Sequence, residues 1–592
     1  MRLIFRSMGK YRGSIAVAVL LKLFGTLAEL SIPYILEHII DDVVPLGELK
    51  PVILWGLLMF AAAFVTRMLN VTANRRAIEN AHRVSYDVRQ ALFRKIAYLD
   101  GNTFDGFGLP SLISRMTSDS YNVQSSVQQL QALCIRAPMM LLGGLAVTLL
   151  MDPGLAMILV VMLPFLILVV LTVSARGIPL FAAVQTKLDT LVRIMRENIT
   201  GIRVVKALSK TGYEMRRFAD ANGEMTDTDI KASTVMAIPG PFMQFCLNIG
   251  LTLVVLFGAR RVNGGTLEPG VILAFLTYFN MITQGVMGLS RIFMTISKAS
   301  ASANRIDEVL RAESDQRVLA PEEGLVPAGP GCIRFEDVGF RYGEDSRGGR
   351  GGGKAEGEAF AGGRREKALD GISFSLEKGE SLGIIGPTGC GKSTVISLLL
   401  RFYDAEEGGV FLDGRDIRTY DRDELRRRFG VCFQNDMIFQ DTLRANVDFG
   451  RGLEDGEVQS AVRDAMAQEY VDALPEGLNY RADIKGANLS GGQKQRLLVA
   501  RALAGRPDIL ILDDSSSALD YKTDAAMRRA IHEHYGDVTL IMVAQRVSSV
   551  MGMSRILVMD DGKCIGYGTH QELLETCPVY RETFDIQMGD MQ

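Results

Sequence analysis

At 592 residues, with 65 Lys and Arg against 68 Asp and Glu, the chain has a formal net charge of −3. No global charge therefore draws it to nucleic acid or to an acidic partner. The length exceeds what one hydrophobic core organises, so two or more domains are expected. The 48% hydrophobic fraction is unevenly spread, with long apolar runs up to about residue 297 and dispersed charge and glycine from about residue 330. Cys134, Cys246, Cys332, Cys390, Cys432, Cys564 and Cys577 form no CxxC pair and no zinc-like spacing, which suits reduced thiols rather than a disulfide framework. The basic start is followed by an apolar run without a small-residue cleavage pattern, the expected form of an uncleaved membrane anchor.

Crossing a bilayer takes about 20 apolar residues. Six stretches qualify: roughly 15–36, 52–71, 130–151, 154–174, 235–259 and 270–296. Long polar segments separate the second from the third and the fourth from the fifth, whereas the other links are short, such as Asp152-Pro153. The long segments carry Arg75, Arg76, Arg83, Arg89, Arg94 and Lys95, then Arg193, Arg196, Arg203, Lys206, Arg216 and Arg217. Positive charge marks the cytosolic side, so both hairpins and both termini are expected there, in a cytoplasmic (inner) membrane. Leu188, Leu191, Ile194 and Met195 recur at helical spacing, as expected of helices that run on below the bilayer. Lys22, Glu29 and Arg136 fall inside spans, where charge is costly; they either line a pathway or pair with one another. Pro239 and Pro241 are expected to kink the fifth span.

The second half opens after a linker at 311–330, giving a transmembrane domain at 1–310 and a second domain at 331–592. Gly386-Pro387-Thr388-Gly389-Cys390-Gly391-Lys392-Ser393 satisfies G-x-x-x-x-G-K-[ST], between the strand-like Ser381–Ile385 and a helical run from Thr394 to Leu400. In that context the loop amides wrap phosphates, Lys392 reaches the terminal phosphates and Ser393 offers a hydroxyl to Mg²⁺. Ile509-Leu510-Ile511-Leu512-Asp513-Asp514 reads as a buried parallel strand with Asp513 at its end, placed to hold the cation through water. The implied cofactors are ATP and Mg²⁺, on an α/β P-loop fold.

Leu489-Ser490-Gly491-Gly492-Gln493 resembles the signature of ATP-binding cassette (ABC) proteins. The resemblance spans the chain and is of the exporter type, a half-transporter with fused transmembrane and nucleotide-binding domains. It implies that Tyr342, closing Phe335-Glu336-Asp337-Val338-Gly339-Phe340-Arg341-Tyr342, stacks on adenine. It implies that Gln434 senses Mg²⁺, that Ser517-Ala518-Leu519-Asp520 crosses a dimer interface, and that Phe104–Asp119 and Glu197–Lys206 carry coupling helices. It further implies that the signature serves ATP held by a second subunit. Donors at a helix N-terminus suit a γ-phosphate, which gives that arrangement its physical sense.

Three positions depart from the family pattern. Asp514 stands where the family places the glutamate that activates water, and Gln545 stands at the switch histidine. Asp483-Ile484-Lys485-Gly486 lacks the usual acidic residue beside its glycine. A shorter carboxylate and an amide that cannot shuttle protons point to a slow site. The chain then resembles the degenerate subunit of bacterial heterodimeric multidrug exporters, moving a small or amphipathic, drug- or lipid-like molecule. A homodimer with slow hydrolysis, an ATP-gated channel and an importer on the same scaffold are the alternatives. No peptidase-like domain precedes the first span, which disfavours peptide maturation. The Gly-rich 343–367 is expected to be a flexible surface loop. Cys390, beside a helix N-terminus, is expected to have a lowered thiol pKa and to alkylate unless ATP is bound.

Overall fold

The computed structural model describes residues 2–314, 316–343, 366–434, 436–515 and 517–589. The chain divides into two compact units, residues 1–97 with 110–312, and residues 98–109 with 313–592.

The first unit is helical. Its long helices are α1 (Arg12–His38), α2 (Leu49–Ala97), α3 (Ser120–Met151), α4 (Pro153–Thr200), α5 (Thr211–Ala237), α6 (Pro239–Asn263) and α7 (Pro269–Arg311). Among the described residues six helical stretches are long and apolar enough to cross a membrane. The 49 residues of α2 extend about 73 Å at 1.5 Å per residue, more than twice a hydrocarbon core. The excess beyond a span explains the long polar segments of the sequence. Along that extension small and β-branched residues at i, i+3 and i, i+4 spacing (Ala73, Ala77, Ala81, Val84, Val88) are buried. Asp152 makes the tight third-to-fourth turn. Its carboxylate caps α4 by accepting from the Leu155 amide at 2.8 Å and also accepts from Arg261 at 2.8 Å. Helix continuity breaks at Ile238, immediately before Pro239, as the missing proline donor requires. At the end of the α4–α5 hairpin, Arg217 and Asn198 tie the two arms through Glu197 and Glu214, both at 2.8 Å. Ile199, Ile202, Val204 and Leu208 at its tip are exposed.

The second unit contains two sheets built from β1 (Ile333–Phe340), β2 (Leu369–Leu376), β3 (Ser381–Ile385), β4 (Glu407–Leu412), β5 (Arg415–Asp416), β6 (Phe429–Cys432), β7 (Ile509–Asp513), β8 (Thr539–Val543), β9 (Arg555–Asp560) and β10 (Lys563–Gly568). An antiparallel sheet runs β2-β1-β4-β5, and a six-stranded sheet runs β10-β9-β3-β8-β7-β6 with only the β10–β9 pair antiparallel. Every residue of β7 is buried, as the apolar run requires of a central parallel strand. The order β3-β8-β7 brings three carboxyl ends side by side, where open α/β sheets bind ligands.

The helix Gly101–Phe107 also belongs to this unit, although the sequence boundary at 310 assigns it to the membrane part. Asp100 caps it through the Thr103 amide at 3.1 Å, Gly101 donates to the Phe402 carbonyl at 3.1 Å, and Tyr403 donates to Asp105 at 2.6 Å. A Cβ at Gly101 would lie 2.7 Å from both the Phe402 carbonyl and the Tyr403 ring, so only glycine permits this approach. Of the expected loop 343–367, residues 344–365 lie outside the described residues.

Candidate nucleotide site

Between β3 and the helix Lys392–Leu399 the chain reverses through Gly389 and Gly391, at φ +90° and +98°. These are left-handed conformations that glycine alone adopts without strain. A Cβ at Gly391 would also come within 2.6 Å of the Ala368 carbonyl. The loop opens a cleft of about 380 Å³ lined by Tyr342, Thr388, Gly389, Gly391, Lys392, Ser393, Thr394, Gln434, Asp513, Asp514 and Gln545. Gly386 and Pro387 face instead a neighbouring cavity of about 460 Å³, with Gln545 and Gln587.

Lys392 donates to the Gly386 and Pro387 carbonyls at 2.8 and 2.7 Å, so its ammonium is already held over the loop where phosphates would compete for it. Ser393 donates to Asp513 Oδ2 at 3.0 Å. Burial pushes the Asp513 carboxyl up, the Ser393 hydrogen bond opposes this, and the charge of Asp514 raises it further. A hydroxyl, a carboxylate and the Gln434 amide oxygen are the oxygen donors a hard divalent cation takes. Tyr342 bonds Thr394 Oγ1 through its hydroxyl at 3.1 Å and packs edge-on against Phe340 and Tyr403, with centroids at 5.0 and 5.2 Å.

Asp514 follows β7 at φ +49°, a left-handed conformation that aspartate tolerates better than most residues. Its Oδ2 accepts from both Gln434 Nε2 (3.2 Å) and Gln545 Nε2 (3.1 Å). Its carbonyl accepts from Gln495 Nε2 at 2.9 Å and from the Ser517 hydroxyl at 3.1 Å. Gln495 also accepts from the Ala518 amide at 2.9 Å, joining the helix after the signature to the segment after β7. Gln587, in the helix Pro578–Gly589, brackets the switch segment: it donates to the Gln545 carbonyl at 3.1 Å and accepts from the Val547 amide at 2.7 Å. Sequence reading missed both Gln495 and Gln587. Neither sits in a motif, and an isolated glutamine on a helix gives no local signal.

The signature stands apart from this cleft. Ser490 caps the helix Gly491–Leu503 through a reciprocal pair with Gln493, at 3.3 and 2.8 Å. Leu489 is buried, Ser490 and Gly491 face solvent, and none of Leu489, Ser490, Gly491, Gly492 and Gln493 lines the cleft. Asp520 caps the next helix through the Thr523 amide at 2.9 Å, beside buried Leu519. One expectation is overturned. The Cys390 thiol is buried under the loop, and burial raises its pKa against the lowering pull of Lys392. Desolvation outweighs the field of a short helix.

Comparison with known proteins agrees with this geometry. Residues 15–286 match the ABC transporter transmembrane region and residues 369–517 match the ABC transporter family. The chain is 32% identical over 575 residues to the uncharacterized ABC transporter ATP-binding protein YfiB of Bacillus subtilis, covering 97% of this chain and 96% of that protein. YknU of the same organism, another uncharacterized ABC transporter ATP-binding protein, is 30% identical over 590 residues, covering 98% and 96%. A bacterial Atm1-family ABC exporter solved with ATP bound shares the fold, with a TM-score of 0.80 at 22% identity over 97% of this chain and 98% of that one. Six membrane-crossing helices fused to a cassette with this phosphate loop and signature make the chain a member of the ABC transporter family, a half-transporter of the exporter type.

Proposed function

We propose that this chain is the catalytically slow half of a heterodimeric exporter, moving a small amphipathic molecule out across the cytoplasmic membrane. The observation that carries this reading is the occupancy of the cleft. It holds Thr388, Gly389, Gly391, Lys392, Ser393 and Thr394 of the phosphate loop and its helix, the cation candidates Gln434 and Asp513, no signature residue, and an aspartate bridged by two amides where water would be activated. ATP would be held by Lys392 and the loop amides, with Ser393 and Asp513 toward Mg²⁺ and Tyr342 toward the base. When bound, the cation neutralises phosphate charge. A second subunit would close this cleft with its own signature, while Leu489–Gln493 of this chain completes the partner's site. Asp514 is one methylene short, and Gln545 can donate a hydrogen bond but does not titrate and cannot shuttle a proton near neutral pH. The uncovered apolar tip formed by Ile199, Ile202, Val204 and Leu208 is consistent with a surface meant for another chain. The arginines and lysines that flank the spans support a cytosolic position for both hairpins and the cassette.

The test is ATP turnover by the chain purified alone, against the complex taken from its own membranes. The account expects the chain alone to fall well below about 1 s⁻¹, the low end of ordinary enzyme turnover. Turnover by the isolated chain at or above that rate contradicts it.

A further inference from the structure

Within the membrane-crossing unit, α3 and α7 enclose a cavity of about 290 Å³ whose lining includes Arg136, Arg291, Gln284, Met140 and Met287. Glycines set its shape. A Cβ at Gly285 would come within 2.9 Å of the Ala137 carbonyl, and one at Gly288 within 2.7 Å of the Ala137 Cβ. The two helices can therefore approach closely enough for both guanidiniums to reach one space. Arg136 Nη2 donates to Glu29 Oε1 at 2.8 Å, yet its Nε and the second Glu29 oxygen are buried without a hydrogen-bond partner. Arg291 has neither ion pair nor hydrogen bond among the described residues. Lys22, buried and donating to Asn74 at 3.0 Å, interacts electrostatically with both Glu29 and Arg136. Arg136 and Lys22 thus share the Glu29 carboxylate, and Arg291, exposed, adds a second guanidinium to the cavity lining.

Excess positive charge inside a membrane bundle is costly unless something neutralises it, and arginine forks suit planar or tetrahedral oxyanions. Methionine walls adapt to irregular apolar bodies. We propose that this cavity is an anion-recognition site for the transported molecule, which carries a carboxylate, sulfonate or phosphate group on an apolar body. The proposal rests on the transport reading above and names its substrate class.

The experiment uses the native complex in nanodiscs, with sulforhodamine B as the anionic probe and rhodamine 6G as the cationic one, read by fluorescence polarisation. Sulforhodamine B is expected to bind at least tenfold tighter than rhodamine 6G. Arg136→Gln and Arg291→Gln should each weaken it tenfold or more. Glu29→Gln, which frees Arg136 from the carboxylate it pairs with, should tighten it, a change of sign that misfolding cannot produce. Equal binding of sulforhodamine B by wild type and both arginine variants, preference for the cation, or weaker binding in Glu29→Gln overturns the anion site. ATP-driven uptake into inverted vesicles separates the two claims. Charge-dependent anion binding without uptake of either dye keeps the site and refutes export. Uptake of rhodamine 6G with charge-independent anion binding keeps export and refutes the site.

Discussion

Converting Asp514 to glutamate and Gln545 to histidine together should turn a nucleotide-holding site into a hydrolysing one. Aspartate withdraws its carboxylate by about 1.5 Å relative to glutamate, and a misplacement near 1 Å costs about 100-fold. At 1.36 kcal/mol per decade that is about 2.7 kcal/mol of barrier. Asp514→Glu alone is expected to recover only part of this. The position sits at φ +49°, where a glutamate backbone is less at ease than an aspartate one by up to about 1 kcal/mol. The Gln545 amide would also still hold the carboxylate without offering a proton path. The single variant should therefore gain roughly tenfold or less, and the double variant about 100-fold or more once acid–base help is added. The assay traps the native complex with radiolabelled ATP for one turnover of the faster site, then counts retained ATP and ADP. Wild type should keep about half of its bound nucleotide as ATP, and the double variant less than about a tenth. Equal retention in wild type and the double variant, or no retained ATP in wild type, refutes the reasoning.

Three further outcomes are expected. Gln587→Ala removes both hydrogen bonds that bracket Gln545 and Val547, so amide exchange at Val547 should speed about tenfold, matching about 1.4 kcal/mol of local stability; unchanged exchange contradicts the bracket. Asp416→Asn strips a buried carboxylate bonded to Arg418 and the Leu325 amide, costing about 3 kcal/mol at pH 7. Burial raises that carboxyl, but the Arg418 and amide hydrogen bonds outweigh it, so the folded pKa lies below the ordinary one. The stabilisation is therefore full above about pH 4 and fades as pH falls through the folded value; a wild-type advantage in thermal melts that grows on acidification refutes it. Cys390 should label slowly with maleimide at pH 7.5, with or without ATP, since its thiol is buried; fast labelling blocked by ATP would restore the helix-terminus argument.

Much of the architecture was legible because its signals are long. Twenty-residue apolar runs, uneven gaps and flanking arginines marked six crossings, and among the described residues six helical stretches are long and apolar enough to make them. The phosphate loop was legible because its glycines are obligatory, Gly389 and Gly391 both sitting at positive φ. What escaped depends on contacts distant in sequence. A coupling helix was expected within Phe104–Asp119, but that Gly101–Phe107 joins the second unit through Phe402 and Tyr403, some 300 residues away, is not written locally in 101–107. Gln495 and Gln587 act through backbone groups, which any sequence supplies. Cys390 was misjudged because a helix terminus is visible in a sequence and desolvation is not. Arg136 and Glu29 were visible as costly charges; their pairing to each other, and an Arg291 without an ion pair among the described residues, needed coordinates.

The most direct test of a heterodimer with one slow site is the native mass of the complex drawn from its own membranes through a tag on this chain. The account expects this 64.9 kDa chain with one unequal ABC chain whose sequence carries the glutamate and histidine absent at positions 514 and 545. A single protein species at twice 64.9 kDa would contradict it, leaving Asp514 and Gln545 to sustain all hydrolysis themselves.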